Sequence, residues 1–123
     1  MKEFKEYIQK ISLIEETTFH ELQQCFQPVE LQKNEFFARE GAYSRHIGFL
    51  YKGVVRAFFL NSDGKEYSKQ FFVAPSMIGA YTSLLTQQPN KIAQQAMTSC
   101  QILRADFHQV EKLYHQFHDL ERL

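Results

Sequence analysis

Residues 36–67 run FFAREGAYSRHIGFLYKGVVRAFFLNSDGKEY. Aromatic and β-branched runs, "HIGFLYKG" and "VVRAFFL" among them, alternate with glycines at Gly41, Gly53 and Gly64. Short runs of that composition between turn residues predict strands rather than helices. "NSDGK" sets Asp63-Gly64 between two of them, where a hairpin turn belongs. "EFFARE" opens this block as a strand, and "VELQ" precedes it as another. "KEYSKQFF" runs out of its far end, and "IAQQAMTS" and "CQILRA" follow.

The periodicity changes at both ends of the chain. Phe4, Tyr7, Ile8 and Ile11 recur at three- and four-residue spacing, as on one face of a helix. "TFHE" offers a capping box, Thr18 with Glu21, to open a short helix through Cys25 or Phe26 that Pro28 ends. In "DFHQVEKLYHQFHDLERL", Asp106 and Gln109 form a second such box. Phe107, Val110, Leu113, Tyr114, Phe117 and Leu120 make an apolar stripe behind it. The fold class expected is α+β: an antiparallel jelly roll over about 29–105, helices before it over about 3–26 and after it over about 106–123. Gly41, Gly53, Gly64 and Gly79 fall about twelve residues apart, where strand corners should lie. A barrel of this size can hold one small ligand between its sheets.

Composition narrows the function. The chain has 123 residues, the length of one domain, and buries roughly two thirds of its unfolded surface on folding. Twelve Phe and six Tyr supply a packed core without a disulfide or metal staple. Fourteen cationic and fourteen acidic side chains cancel, which argues against nucleic-acid binding by this chain itself. Cys25 and Cys100 are the only cysteines and lack ligand spacing, as in an intracellular protein with packed thiols. They cannot supply the four thiolates of an iron–sulfur sensor. The charged start "MKEFKEYIQK" does not resemble a secretory signal, and no apolar run approaches bilayer length. The expectation is a cytoplasmic protein with no membrane partner and no cofactor.

The framework "EG" at Gly41, "KGVVR" through Gly53, Val54, Val55 and Arg56, "DG" at Gly64 and "IG" at Ile78-Gly79 resembles the cyclic-nucleotide-binding-type sensor domain of Crp/Fnr transcription regulators. The resemblance runs from about Phe4 to the last helix. It implies an effector-sensing role, a homodimer in the full-length form, and DNA contacts through a C-terminal helix-turn-helix domain outside this chain. "QFHDLERL" stops in a helical pattern without a terminating Gly, Asn or Pro, which suits a sensor half.

"MIGAYTSLLTQQPNKIA", residues 77–93, then takes the place of the family's phosphate cassette. The resemblance implies that Gly79 lets backbone amides at a short helix point at a ligand. In nucleotide-binding members a Glu follows that glycine and meets the ribose, while an Arg at the next strand pairs with the phosphate. Here those positions are Ala80 and Asn90, with Lys91 beside the latter. A methyl accepts no hydrogen bond, Asn carries no charge, and Lys makes only point-charge contacts. The candidate ligand-binding set is Gly79, Ala80, Tyr81, Thr82, Ser83, Asn90 and Lys91, with Lys69 and Arg56 as further cations. Its hydroxyls suit a small carboxylate or a neutral polar metabolite, and tight cAMP or cGMP binding is not expected. The effector has no assignable identity from these residues.

Other chemistries have weaker signals. His108, Glu111, His115 and His118 lie close to one helix face at a spacing that can bind zinc or nickel, but more often such a face is simply solvated. The alternative function is a stand-alone, cupin-like jelly roll that binds a small molecule or metal. Such a site wants an HxH with a following Glu, whereas His46 stands alone on its strand. No nucleophile–base signature marks an enzyme, and no catalytic or metal-binding residue is assigned.

Overall fold

A computed structural model of the chain describes residues 2–11, 15–60 and 64–116. In order they form α1 (Lys2–Ile11), α2 (Glu16–Gln24), β1 (Phe26–Leu31), β2 (Phe36–Ala38), β3 (His46–Lys52), β4 (Val54–Leu60) and β5 (Glu66–Val73). Then come β6 (Ser76–Ile78), α3 (Tyr81–Thr86), β7 (Ala93–Ala96), β8 (Cys100–Asp106) and α4 (Phe107–Gln116). The strands pair antiparallel into two four-stranded sheets, ordered β1-β8-β3-β6 and β2-β7-β4-β5. Each sheet draws strands from both halves of the chain, and this interleaving is the jelly roll.

Two-residue alternation along β3 divides the apolar residues between two cores. Leu50 faces the space between the sheets, where it joins Leu31, Val55, Ile78, Ala96 and Ile102. Ile47 and Phe49 face the other way, toward Phe4, Ile8, Leu22, Val110 and Leu113 of the helices. Phe4 is fully buried there, its ring 4.7 Å from Phe26 and 5.1 Å from Phe49. A buried aromatic of this kind contributes about 1.5–3 kcal/mol by leaving water. The helices are thus fastened to one outer face of the roll. Phe107, Val110 and Leu113 of the expected terminal stripe are buried. The side chain of Tyr114, with Phe117, Leu120 and the rest of 117–123, lies outside the described residues.

Gly53 shows why a corner demands glycine. Its φ is +107°, and a Cβ there would meet the Ser99 carbonyl oxygen at 2.6 Å and Cys100 Sγ at 2.7 Å. The β4–β5 hairpin pairs Leu60 with Glu66, as the turn signal predicts, although Asp63 itself lies outside the described residues.

The local signals at the N-terminal end need correcting. Thr18 does not open α2: it lies in the first turns of that helix and is buried, and the N-cap is Glu15, without a side-chain cap bond. Pro28 does not precede the first strand but sits inside β1, opposite Leu103. β1 is an edge strand, where a residue without an amide hydrogen is tolerated. Asp106 does cap α4, with Oδ1 accepting from the His108 amide at 2.8 Å, one residue short of the position a capping box uses. β6 carries no strand signal of its own. It is three residues long and is held by pairing with β3.

Candidate functional site

The cassette begins where β6 leaves its sheet. Gly79 has φ +153°, and a Cβ on it would press Ile47 Cγ2 at 3.3 Å and the His46 carbonyl oxygen at 3.4 Å. Its own carbonyl accepts from Gln94 Nε2 at 3.3 Å. Ala80 is the N-cap of α3, buried and without a side-chain cap bond. One and a half turns later α3 ends at Gln87, in left-handed conformation with φ +58°. The sequence-predicted turn, short helix, loop and strand are therefore all present in order.

Two polar residues of the cassette, Ser83 and Asn90, point into the scaffold. Ser83 is 4% exposed; its hydroxyl donates to the Gln88 carbonyl at 2.6 Å and accepts from the Ser44 amide at 3.2 Å. Asn90 is 5% exposed and forms a four-point clamp. Its Nδ2 donates to the Arg39 carbonyl at 2.8 Å, and its Oδ1 accepts from Ser44 Oγ at 2.7 Å. Its backbone exchanges two further bonds of 2.8 Å with Ala42 and Gly41. The Asn90 side chain thus serves the β2–β3 loop.

Lys91 is exposed and lines an open depression of about 730 Å³ with Glu40, Gln88 and Pro89. Glu40 brings a negative charge to that depression, so Lys91 does not create a purely cationic surface. Arg56 lies away from the cassette. In the β4–β7 ladder it pairs with Gln95, while Ala57 pairs with Gln94, and neighbouring residues face opposite sides. Its guanidinium stacks on Phe58 at 4.1 Å and donates to Gln95 Oε1 at 3.3 Å. The side chains of Tyr81, Thr82 and Lys69 lie outside the described residues.

Two polar residues near the cassette escaped the sequence reading. Ser44 belongs to the clamp through partners 39 and 46 residues away, a separation that no local motif displays. Gln94 is 1% exposed and faces the barrel interior, and its Oε1 has no hydrogen-bond partner among the described residues. A buried polar side chain in a strand is the signal for such a residue, but "IAQQA" offers two adjacent glutamines. Only the register tells them apart.

Elsewhere, titratable groups have ordinary structural settings. Burial, with the Glu21 carboxylate adding to it, pushes the Cys25 thiol up, away from reactivity. His108 and Glu111 approach at 3.8 Å on an exposed helix face. His118 lies outside the described residues. Among the described residues no three His, Cys, Asp or Glu side chains cluster as metal ligands. No helix among them is long and apolar enough to cross a membrane.

A family model described as the cyclic nucleotide-binding domain matches residues 28–117, well over half of the chain. The chain belongs to that family. Solved structures share its fold. The catabolite activator protein of Thermus thermophilus superposes with a TM-score of 0.77 at 15% identity, covering 88% of this chain and 50% of that one. The sensor domain of the transcriptional regulator DNR from Pseudomonas aeruginosa gives 0.78 at 17% identity, over 88% and 72% of the two chains. The regulatory subunit of a cAMP-independent protein kinase A from Trypanosoma cruzi, bound to guanosine, gives 0.74 at 15%, over 83% and 36%. This chain spans half the length of the Thermus activator. At these identities the likeness is one of fold. No protein with a curated description matches by sequence.

Proposed function

We propose that this chain is the effector-sensing domain of a Crp/Fnr-like transcription regulator, with a cassette that does not bind cAMP or cGMP tightly. The observation that carries this reading is Asn90. It stands where the family's nucleotide binders place an Arg, and both ends of its side chain are engaged by Arg39 and Ser44. Ala80 supports it, because a buried methyl replaces the carboxylate that meets the ribose. Losing one charge-assisted hydrogen bond costs about 1.5–3 kcal/mol, and each 1.4 kcal/mol is tenfold in affinity. Losing the phosphate and sugar contacts together takes a micromolar ligand to about millimolar or weaker.

The role is binding rather than catalysis, in keeping with the regulators and the regulatory subunit whose structures it resembles. DNA contact and dimerisation belong to a further part of the regulator. The ligand that fits the remaining features is small and polar, with an N–H or O–H donor for Gln94 Oε1, which is buried and unpartnered. Isothermal calorimetry tests the reading. We expect no saturable binding of cAMP or cGMP below about 100 μM. A low-micromolar dissociation constant for either would overturn it and would mean that backbone amides and Lys91 suffice.

A further inference from the structure

We propose that the β2–β3 corner is a second ligand site, a preformed pocket for the oxyanion of a small carboxylate or phosphate. A cavity of about 310 Å³ lies there, sharing only Asn90 with the cassette. That volume is at the low end for ligand pockets and equals roughly ten waters. Phe36 and Phe37 give it an apolar wall, while Arg39, Arg45, His46 and Ser44 supply polar groups. Among the described residues that line it, none is a carboxylate. Two arginines and a histidine therefore line one concavity with no carboxylate among its described lining residues, a composition that can recognise an oxyanion.

The pocket is built before any ligand arrives. The Asn90 clamp fastens the loop at Arg39, Gly41, Ala42 and Ser44. Arg39 Cζ lies 4.2 Å from the centre of the Phe36 ring, a contact that holds the guanidinium without using its N–H groups. The Arg45 carbonyl accepts from the Phe107 amide at 2.8 Å, so the second arginine is tied to the start of α4. A site with its backbone already fixed avoids the ordering cost that weakens binding by mobile loops. The His46 imidazole is held below its ordinary range by burial first and then by Arg104, with Arg45 adding and Asp106 opposing. A bound anion would act with Asp106 to favour the protonated ring.

Inorganic phosphate and citrate are the probes, titrated separately into the protein by calorimetry at low ionic strength. We expect saturable binding of at least one, with a dissociation constant at or below about 1 mM. Binding by phosphate alone or citrate alone identifies which oxyanion the pocket takes. Arg39→Gln and Arg45→Gln should each weaken it about tenfold, the loss of one charge-assisted contact, whereas Lys91→Gln should leave it unchanged. Amide shifts in the unmutated protein give a readout that does not depend on any variant folding. On titration they should concentrate at residues 39–46. No saturation by either probe, or binding indifferent to both arginine changes, would overturn the proposal. So would shifts centred on residues 79–83, or loss of binding in Lys91→Gln, because the anion would then occupy the cassette. Calorimetry with cyclic nucleotides tests the cassette reading independently, so either reading can fail alone.

Discussion

The cassette and the β2–β3 corner meet at Asn90, yet their chemistry is opposite. Between Gly79 and Asn90 there is no charged side chain, and Ser83 and Asn90 turn their polar atoms inward. The corner, from Arg39 to His46, includes Glu40, which faces the neighbouring depression, but its own cavity is lined by two arginines and a histidine. In the cassette the turn, short helix and loop are present, while Ser83 and Asn90 are engaged in holding the scaffold. In the corner a stretch whose glycine marks only a turn gathers the cations. The difference teaches that a fold's binding geometry and its binding charge are separable. The position of a family motif does not by itself locate the ligand chemistry.

The hardest way to strain this comparison is to remove the residue that joins the two regions. Asn90→Ala deletes two buried side-chain hydrogen bonds and leaves the Arg39 carbonyl and the Ser44 hydroxyl without those partners. We expect a loss of about 2–4 kcal/mol in unfolding free energy, read by urea denaturation. A change below about 0.5 kcal/mol would show that the clamp does not hold the corner. The same cost falls on the double change Ala80→Glu with Asn90→Arg, which puts the nucleotide-binding residue types back. It must break the clamp and bury a carboxylate at a position only 5% exposed before it can recover affinity.

A smaller effect should follow from the cassette's side of the same network. Ser83→Ala removes the hydroxyl that donates to Gln88 and accepts from Ser44, and leaves a methyl in a buried place. The expected loss is about 1 kcal/mol, because two partners lose a bond while the cavity stays small. If Ser83→Ala were as damaging as Asn90→Ala, the cassette rather than the corner would be the main beneficiary of the network.

Much of this was legible in the sequence, and what was not has a common physical cause. The strand runs from "VELQ" to "CQILRA" all appear, since alternation and β-branching act through neighbouring residues. Gly53 and Gly79 were legible because a corner restricts backbone shape whatever surrounds it. β6 was not, because its three residues are ordered by β3 rather than by their own pattern. Pro28 was read as a boundary because its tolerance in β1 depends on edge position, a property of the assembled sheet. Thr18 carries the right residue type for a cap, but tertiary burial placed it inside α2. At the candidate site, residue types alone could not tell inward from outward. Asn90 and Ser44 find each other across 46 residues of chain.

The gentlest probe of the comparison is pH. The folded state holds the His46 imidazole below its ordinary range, through burial, Arg104 and Arg45, against the pull of Asp106. In the unfolded chain it titrates near 6.5. Well above that value the ring is neutral in both states and adds no pH dependence. As pH falls through about 6.5, the unfolded chain takes up a proton that the folded chain resists, so stability declines. The decline levels off once pH drops below the folded value. Urea midpoints between about pH 7.5 and 5.5 should therefore fall for the natural chain and fall less for His46→Gln. Phosphate should flatten the natural chain's slope if the corner takes an anion, because a negative charge beside the ring raises its folded pKa toward the unfolded one. Equal slopes for the two proteins would mean that burial and the nearby arginines together do not hold the His46 ring below its ordinary range. The contrast with the uncharged cassette would then rest on Arg39 and Arg45 alone.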